Sequence, residues 1–302
     1  MSISGILTPA VLKKVAAGDE AVLCELDKHG LLPLPGEAAP VFAERLTRLA
    51  GALDELSKEL KNQKNFEVVP GIKISNSNSI PAAIKEEALA VTQKLYDVRP
   101  DWVPGFFANE SFGFLWGGCS LNDPESGLAL FIIRKAFKKQ RRWLMYDRCE
   151  LLAHEMTHAA HQAFDEWQFE EYFAYRTAKS PLRKIFGGCF ICKYDSLGFL
   201  LPILLLPVVQ FLNIFGITEL PMWIFWVLAG VYPVFLVCRT LKINAAAAKA
   251  RNFLQSLKIR NVDAVLFRMS VKEIAQLAKK VVPTGDDLRW KLLTKRLNDK
   301  EM

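Results

Sequence analysis

The apolar positions near the N-terminus recur with the spacing of an α-helix. Between Val41 and Leu60, large apolar side chains return every three or four residues and so share one helical face. These positions are Phe42, Leu46, Leu49, Leu53, Leu56 and Leu60. The prolines and glycine between residues 33 and 40 predict a break before this helix. We therefore predict an N-terminal helical region over residues 1–64.

The pattern changes after residue 64, where short apolar runs are separated by turn-forming residues. Strand-like runs occur at Phe66–Val69, Gly71–Ile74, Phe112–Trp116 and Leu128–Ile133, with turn signals at Gly117-Gly118 and Asn122-Asp123-Pro124. Helical spacing is found over Pro81–Val98, about 143–163 and about 166–179. A capping-box-like stretch at Asp165–Gln168 predicts a break between the last two helices. The expected fold class is α+β and mainly helical, with a small sheet in a domain over residues 65–185.

Two long apolar segments follow, at Leu197–Phe215 and Met222–Cys238. Each approaches the roughly 20 residues that a helix needs to cross a bilayer, and a short connection joins them. We predict a transmembrane helical hairpin over residues 196–239, the alternative being a helical pair buried in a soluble core.

Residues 240–302 are helical in pattern and basic. A capping box at Ser270–Glu273 predicts a helix over Val271–Lys280, and a further helix is predicted over Leu288–Leu297.

The charge distribution predicts how the hairpin is oriented. Lys and Arg flank the apolar segments on both sides but are absent from the connecting loop. By the positive-inside rule, both termini and the 65–185 domain are expected in the cytoplasm. The net charge of +7 therefore fits a lipid bilayer as partner, and no nucleic acid is expected. A basic run at Lys135–Arg142 is a solvated surface or a further lipid contact.

The six cysteines are scattered, which is typical of reduced thiols in the cytosol. Cys189 and Cys192 form a CxxC pair without a second pair to complete a four-ligand metal set. The pair could belong to a zinc or redox site; ordinary juxtamembrane thiols or acylation sites are the alternatives.

The residues that carry chemistry are His154-Glu155-Met156-Thr157-His158, an HExxH motif. Residues four apart lie on one helical face, so both imidazoles could bind one zinc ion while Glu155 reaches a zinc-bound water. A di-iron site would need a second ExxH motif, which the sequence lacks.

A catalytic zinc ion usually has a third protein ligand. Candidates here are His161, Asp165, Glu166, Glu170 and Glu171. His161 lies about 10 Å further along the same helix than His154, which favours a structural role or a role as a neighbour of the metal ligands. Glu171 fits best if the next helix folds back, and Glu170, about 100° around that helix, is the reserve choice.

His154-Glu155-x-x-His158 followed by Glu171-Tyr-Phe-Ala174 resembles the gluzincin branch of zinc metallopeptidases. The resemblance covers about residues 150–178. It implies a zincin-like catalytic domain over residues 65–185, zinc ligands His154, His158 and Glu171, and Glu155 as general base on zinc-bound water. The spacing from His158 to Glu171 is shorter than in many gluzincins, which leaves the subfamily open.

The expected function is that of a membrane-anchored zinc metallopeptidase (a hydrolase) that cleaves proteins or peptides near the cytosolic membrane face. Tyr172, Tyr175 and Arg176 are candidates for stabilising the oxyanion, as against ordinary helix packing. Two other functions stay open: a non-enzymatic membrane adaptor with structural histidines, and a zinc hydrolase of a non-peptide substrate. If residues 1–64 cover the cleft, their deletion would raise activity.

Overall fold

Helices make up most of the chain. The computed structural model describes residues 5–108, 113, 116–164, 167–192 and 194–300. Its helices are α1 (Pro9–Ala16), α2 (Glu20–Lys28), α3 (Ala39–Asn62), α4 (Ala82–Tyr96), α5 (Arg148–His161), α6 (Trp167–Arg176), α7 (Pro181–Phe186), α8 (Asp195–Ile214), α9 (Met222–Ser256), α10 (Val262–Leu266), α11 (Val271–Ala278) and α12 (Leu288–Asn298). Short 3-10 turns connect several of them.

The strands form small sheets in the middle of the chain. β1 (Phe66–Val69) pairs antiparallel with β2 (Ile72–Ile74). A three-stranded sheet has β5 (Ala129–Ile133) in its centre, parallel to β3 (Gly105–Phe107) and antiparallel to β4 (Gly118–Asn122). β6 (Arg142–Trp143) and β7 (Tyr146–Asp147) form a hairpin directly before α5. The mainly helical character with small sheets agrees with the sequence-based expectation.

The N-terminal helices and the HExxH helix share one hydrophobic core. Leu46 and Leu49 of α3 are buried in the same cluster as Phe131 of β5 and Leu152 and Met156 of α5. The apolar stripe of α3 therefore packs against the elements that carry the candidate chemistry. Burial of side chains of this size stabilises a fold by about 1.5–3 kcal/mol each.

The C-terminal helices are tied to the N-terminal region by a buried ion-pair network. The guanidinium of Arg268 donates to both carboxylate oxygens of Asp27, at 2.6 and 2.9 Å, and Arg296 donates to Asp27 Oδ2 at 2.6 Å. Burial raises the pKa of the Asp27 carboxyl, but the two guanidinium groups outweigh burial and hold that pKa below its usual range. Residues 240–302 thus contact the rest of the chain through charged and apolar side chains.

α8 and α9 are long and apolar enough to cross a membrane, and only 11% of the most apolar stretch of each helix is buried inside the protein. That exposure differs from the mostly buried helical pair expected of a soluble core. α9 continues beyond the predicted hairpin to Ser256, and its last turns bury Ala247, Ala250 and Leu254 in a second core cluster. One continuous helix therefore joins the apolar hairpin to the C-terminal helices.

The long periodic helices were predicted within two residues at each end: α3, α4, α11 and α12 correspond to 41–60, 81–98, 271–280 and 288–297. The short elements were predicted less well. β4 occupies the stretch between the two turn signals, and β3 was not expected. The strand expected at Phe112–Trp116 and the start of the helix near Asp165–Gln168 fall largely outside the described residues.

The predicted start of the motif helix near residue 143 is wrong. The chain first makes the β6–β7 hairpin, with Leu144 at a positive φ of 49° in its turn. The helix begins at Arg148 because the Asp147 carboxylate accepts hydrogen bonds from the backbone N–H groups of Cys149 and Glu150. Such an N-cap satisfies backbone donors that would otherwise lack partners at the helix start.

Candidate metal centre

The HExxH motif lies in α5, one face of which is fixed by the core. Leu152, Ala153 and Met156 are fully buried. The side chains of His154 and His158 are only partly buried, with exposed fractions of 17% and 12%. The two imidazoles therefore lie together at the border between core and surface, as the four-residue spacing predicts.

The chain reverses after α5, which brings α6 back beside it. α5 ends at His161, a 3-10 turn covers Gln162–Phe164, and α6 begins at Trp167. Ala174 on α6 is fully buried, which leaves room for the two helices to approach closely. The reversal places Glu171 next to both histidines, as the fold-back argument predicts.

The distances among His154, His158 and Glu171 fit a single metal ion. The two Nε2 atoms are 3.1 Å apart. Glu171 Oε2 lies 3.8 Å from His154 Nε2, and Glu171 Oε1 lies 3.6 Å from His158 Nε2. Two ligand atoms at about 2.05 Å from a tetrahedral zinc ion are about 3.3 Å apart. The donor set, two nitrogens and a carboxylate, is one that zinc accepts, so this cluster could hold a zinc ion.

Glu170, the reserve ligand, takes a different position. Nδ1 of His158 lies 2.8 Å from Glu170 Oε1 and can donate its proton there. That bond fixes the orientation of the ring and leaves Nε2 directed toward His154 and Glu171. Metal-binding histidines commonly donate their second ring N–H to such a carboxylate.

Burial lowers the pKa of both histidines, whereas the neighbouring charges shift the two pKa values in opposite directions. Burial lowers the pKa of His154 to about 3, helped by the charges of His158 and Arg183, so its ring is neutral at pH 7. Burial also lowers the pKa of His158, but the hydrogen bond to Glu170 and the carboxylates of Glu171 and Glu155 outweigh it and raise that pKa to about 9. The carboxylates thus create a local preference for positive charge.

Glu155, the candidate general base, is buried beside this cluster. Burial raises the pKa of its carboxyl to about 7, against the opposing charge of His158. Its charge also raises the pKa of Cys119 on β4, although burial is the larger cause there. Gly118 approaches Leu151 of α5, since a Cβ at that glycine would lie 3.2 Å from Leu151 Cδ2. The strand β4 therefore runs alongside the motif helix.

Of the three candidates for oxyanion stabilisation, Tyr175 is the one that packs against a candidate ligand. Its ring meets that of His154 edge-on, with centroids 4.6 Å apart. Burial is the main cause that raises the pKa of its phenol, to about 12, so it keeps its proton at pH 7. Arg176 instead pairs with Asp263 at 3.3 Å, and Tyr172 packs on Phe169 and Phe173.

His161 is separated from the cluster, in agreement with the structural role predicted for it. It is 2% exposed, and its ring stacks on Phe164 with centroids 4.6 Å apart. Burial lowers its pKa to about 4. A neutral imidazole in this position fills space in the core.

Residues 181–192, which we call the strap, pack against Glu171 and Tyr175 of α6 beside the candidate metal centre. A Cβ at Gly188 would lie 3.3 Å from Glu171 Cβ, and a Cβ at Gly187 would lie 2.1 Å from Cδ1 of Tyr175. Arg183 also pairs with Glu150 of α5 at 2.9 Å. Sequence reasoning missed this segment, although the Gly187-Gly188 pair signals a close approach of the backbone. Of the CxxC pair that the strap contains, Cys189 is half-buried and Cys192 is exposed, both as free thiols.

No protein-family model, curated protein or solved structure matches this chain. The residues themselves therefore carry the functional argument. Two nitrogens and one carboxylate that could hold a metal ion, with a buried carboxyl beside them, form an arrangement capable of metal-assisted hydrolysis.

Proposed function

We propose that the protein is a membrane-anchored, zinc-dependent metallopeptidase of gluzincin type that hydrolyses peptide bonds of proteins near the cytosolic membrane face. The observation that carries the proposal is the convergence of His154, His158 and Glu171 from two antiparallel helices. Glu155 lies on the same helix as the two histidines and is buried beside them. Two histidines and one glutamate beside a buried carboxyl are one of the arrangements that zinc-dependent hydrolysis uses.

Each residue then has a defined part. His154, His158 and Glu171 would hold a zinc ion, and such an ion would supply the Lewis acidity for activation of a water molecule and of the scissile carbonyl. Glu155 takes the proton from the attacking water and delivers it to the leaving nitrogen, a task that suits a carboxyl with a pKa of about 7. Tyr175, protonated and packed against His154, donates to the oxyanion. Glu170 keeps the His158 ring in its ligating orientation.

The position of β4 favours a peptide substrate. Among the described residues, β4 is an edge strand of its sheet and is paired with β5 on one side. Cys119 of β4 is close enough to Glu155 for its thiol pKa to respond to that charge. An extended peptide could add to this edge by backbone hydrogen bonds, which would bring a peptide bond to Glu155.

The two apolar helices support membrane attachment. The cations that flank them, and the lack of Lys and Arg in the loop at Gly216–Pro221, support a two-pass arrangement with both termini and the catalytic residues in the cytoplasm. Anchoring would raise the local concentration of substrates at the same surface.

The first test is the metal content of the purified protein. We expect about one zinc ion per chain in the wild type and in Glu155→Gln, and none retained in Glu171→Gln. Glu170→Gln is the matched control on the neighbouring position: it should still bind zinc, about 10–100-fold more weakly. Zinc retained equally in Glu171→Gln, or no zinc after reconstitution of the wild type, would contradict the proposal and favour the adaptor alternative.

The second test separates peptide from lipid-amide substrates. The zinc-loaded wild type and Glu155→Gln would be compared on a peptide library and on a panel of lipid amides. Cleavage of peptides by the wild type alone is expected. N-methylation of every second backbone amide removes the hydrogen-bond donors along one edge of an extended peptide. Methylation along the edge that pairs with β4 should abolish cleavage, whereas methylation along the opposite edge should be tolerated. Hydrolysis confined to lipid amides would refute the peptidase assignment.

A further inference from the structure

The strap connects the candidate metal centre with the apolar hairpin. On one side its glycines contact Glu171 and Tyr175. On the other side α9 donates to strap carbonyl oxygens: Asn244 Nδ2 to Ile185 at 2.9 Å and Arg239 Nη2 to Cys189 at 2.8 Å. The strap is therefore fixed between the metal centre and α9.

The position of these hydrogen bonds along α9 indicates the depth of the strap relative to a lipid bilayer. The hydrocarbon core of a bilayer is about 30 Å thick and takes about 20 helical residues. Counted from Met222, a span of that length ends at Leu241. Arg239 lies two residues before that point and Asn244 three residues after it, about 7.5 Å apart along the axis. A headgroup layer is about 5–7 Å thick, so the strap would be level with the headgroups if α9 spans a bilayer in this way.

The outer face of the strap has the composition of a segment lying at a membrane surface. Leu182, Ile185 and Phe186 occupy one face of α7 by their spacing and are exposed, Leu182 by 69%. Phe190 is exposed as well and contacts Phe199 of α8, with ring centroids 5.6 Å apart. The exposed apolar face is thus continuous with the hairpin, and the exposed Lys184 adds positive charge.

The β6–β7 hairpin extends this surface. Lys179, just before the strap, donates to Asp147 of β7 at 3.0 Å. The hairpin turn exposes Leu144 and Met145, the latter by 69%, and is preceded by the exposed cations of Arg141 and Arg142. Apolar side chains that are flanked by cations are suited to the boundary between anionic headgroups and acyl chains.

We propose that the outer face of the strap is a binding surface for anionic phospholipid headgroups, and that it holds the candidate metal centre at the bilayer surface. The inference rests on the proposed membrane attachment and goes beyond it. Because Gly188 contacts Glu171, a bond cleaved at this centre would lie within a few residues of the membrane. The proposed substrate class is accordingly the juxtamembrane segments of membrane-bound proteins.

The test is photo-crosslinking of the full-length protein in nanodiscs of phosphatidylcholine with phosphatidylserine. A benzoylphenylalanine would be placed, one variant at a time, at Phe186, at Trp226 within the hairpin, and at Val41, an exposed apolar residue of α3. We expect phospholipid adducts at Phe186 and Trp226 and none at Val41. Lys184→Gln should reduce the proportion of phosphatidylserine among the Phe186 adducts about fivefold, the effect of one surface cation.

The outcomes separate this proposal from membrane anchoring. Lipid adducts at Trp226 without adducts at Phe186 would overturn the strap surface and leave the anchored hairpin intact. Adducts to protein rather than lipid at Phe186 would also overturn it, in favour of a protein partner. An absence of lipid adducts at both positions would overturn membrane anchoring and, with it, this inference. Zinc content measured on the same samples would report separately on the metal centre.

Discussion

Substitution of Gly187 by alanine should disturb the candidate metal centre through Tyr175. Gly187 has helical backbone angles, φ −56° and ψ −42°, which alanine adopts without strain. In open space such a change would stabilise the protein by about 0.4–1 kcal/mol. Here the added methyl group would lie 2.1, 2.4 and 2.5 Å from three ring carbons of Tyr175, whereas carbon atoms pack at about 3.5–4.0 Å.

The ring has little room to move, because His154 packs against it with centroids 4.6 Å apart. Either the strap or the Tyr175 ring must shift by about 1 Å or more to restore normal contact. Overpacking of this kind costs about 1–3 kcal/mol. We expect the free energy of unfolding to fall by that amount and zinc affinity to fall with it, since a displaced ring pushes on a metal ligand.

The assay is chemical denaturation in detergent, together with zinc titration. Gly51→Ala on α3, where nothing lies within 4 Å of the new Cβ, is the matched control and should stabilise by about 0.5–1 kcal/mol. In a Tyr175→Ala background the cost of Gly187→Ala should disappear, because the clashing ring is gone. If Gly187→Ala behaved like Gly51→Ala, with unchanged zinc affinity, the close packing of the strap would be refuted.

Three further outcomes are expected. Glu170→Gln should make zinc dissociate about 10–100-fold more readily, as measured by chelator competition; an unchanged affinity would rule out the orienting role. Asp27→Asn should cost about 3–5 kcal/mol at pH 7, because it leaves the buried guanidinium of Arg268 without its carboxylate partner, whereas Arg296 keeps Asp97. The folded-state pKa of Asp27 is lowered. The difference in unfolding free energy between the wild type and Asp27→Asn, measured by denaturation, should therefore shrink as pH falls below about 4. Burial lowers the pKa of His161 to about 4, so only the unfolded chain takes up a proton on this residue as pH falls from about 6.5 to 4, and the free energy of unfolding decreases. Over that range the free energy of unfolding of His161→Phe should fall by about 3 kcal/mol less than that of the wild type. An equal fall in both proteins would contradict the burial of His161 as a neutral ring.

The sequence predicted that His154, His158 and Glu171 lie together, because their proximity depends largely on local periodicity. Four-residue spacing fixes the relative position of His154 and His158 once the helix forms. The reversal that brings Glu171 to them follows from an interruption between two helical patterns. What could not be predicted was the choice between Glu170 and Glu171, because it depends on the rotation of α6 about its axis. Packing of Phe173 and Ala174 in the core sets that rotation.

Short strands and the strap were missed for a related reason. β3 and the β6–β7 hairpin have two or three residues each, too few for a periodic signal, and their pairing comes from neighbours distant in sequence. The strap owes its position to side chains of α9, about 55 residues later in the chain. Periodicity reports on the residues of one segment, so contacts of this range leave no trace in it.

The same long-range packing bears on whether residues 1–64 could act as a removable inhibitory segment. Leu46 and Leu49 of α3 are buried in one core cluster with Leu152 and Met156 of the motif helix. The Asp27 carboxylate of α2 accepts hydrogen bonds from two guanidinium groups of the C-terminal helices. Deletion of the N-terminal helices would therefore expose the buried face of α5 and leave the buried guanidinium of Arg268 without its carboxylate partner. The loss would disturb the helix that presents His154 and His158, so reduced activity of such a deletion would reflect damage to the metal centre and could not serve as an argument about inhibition.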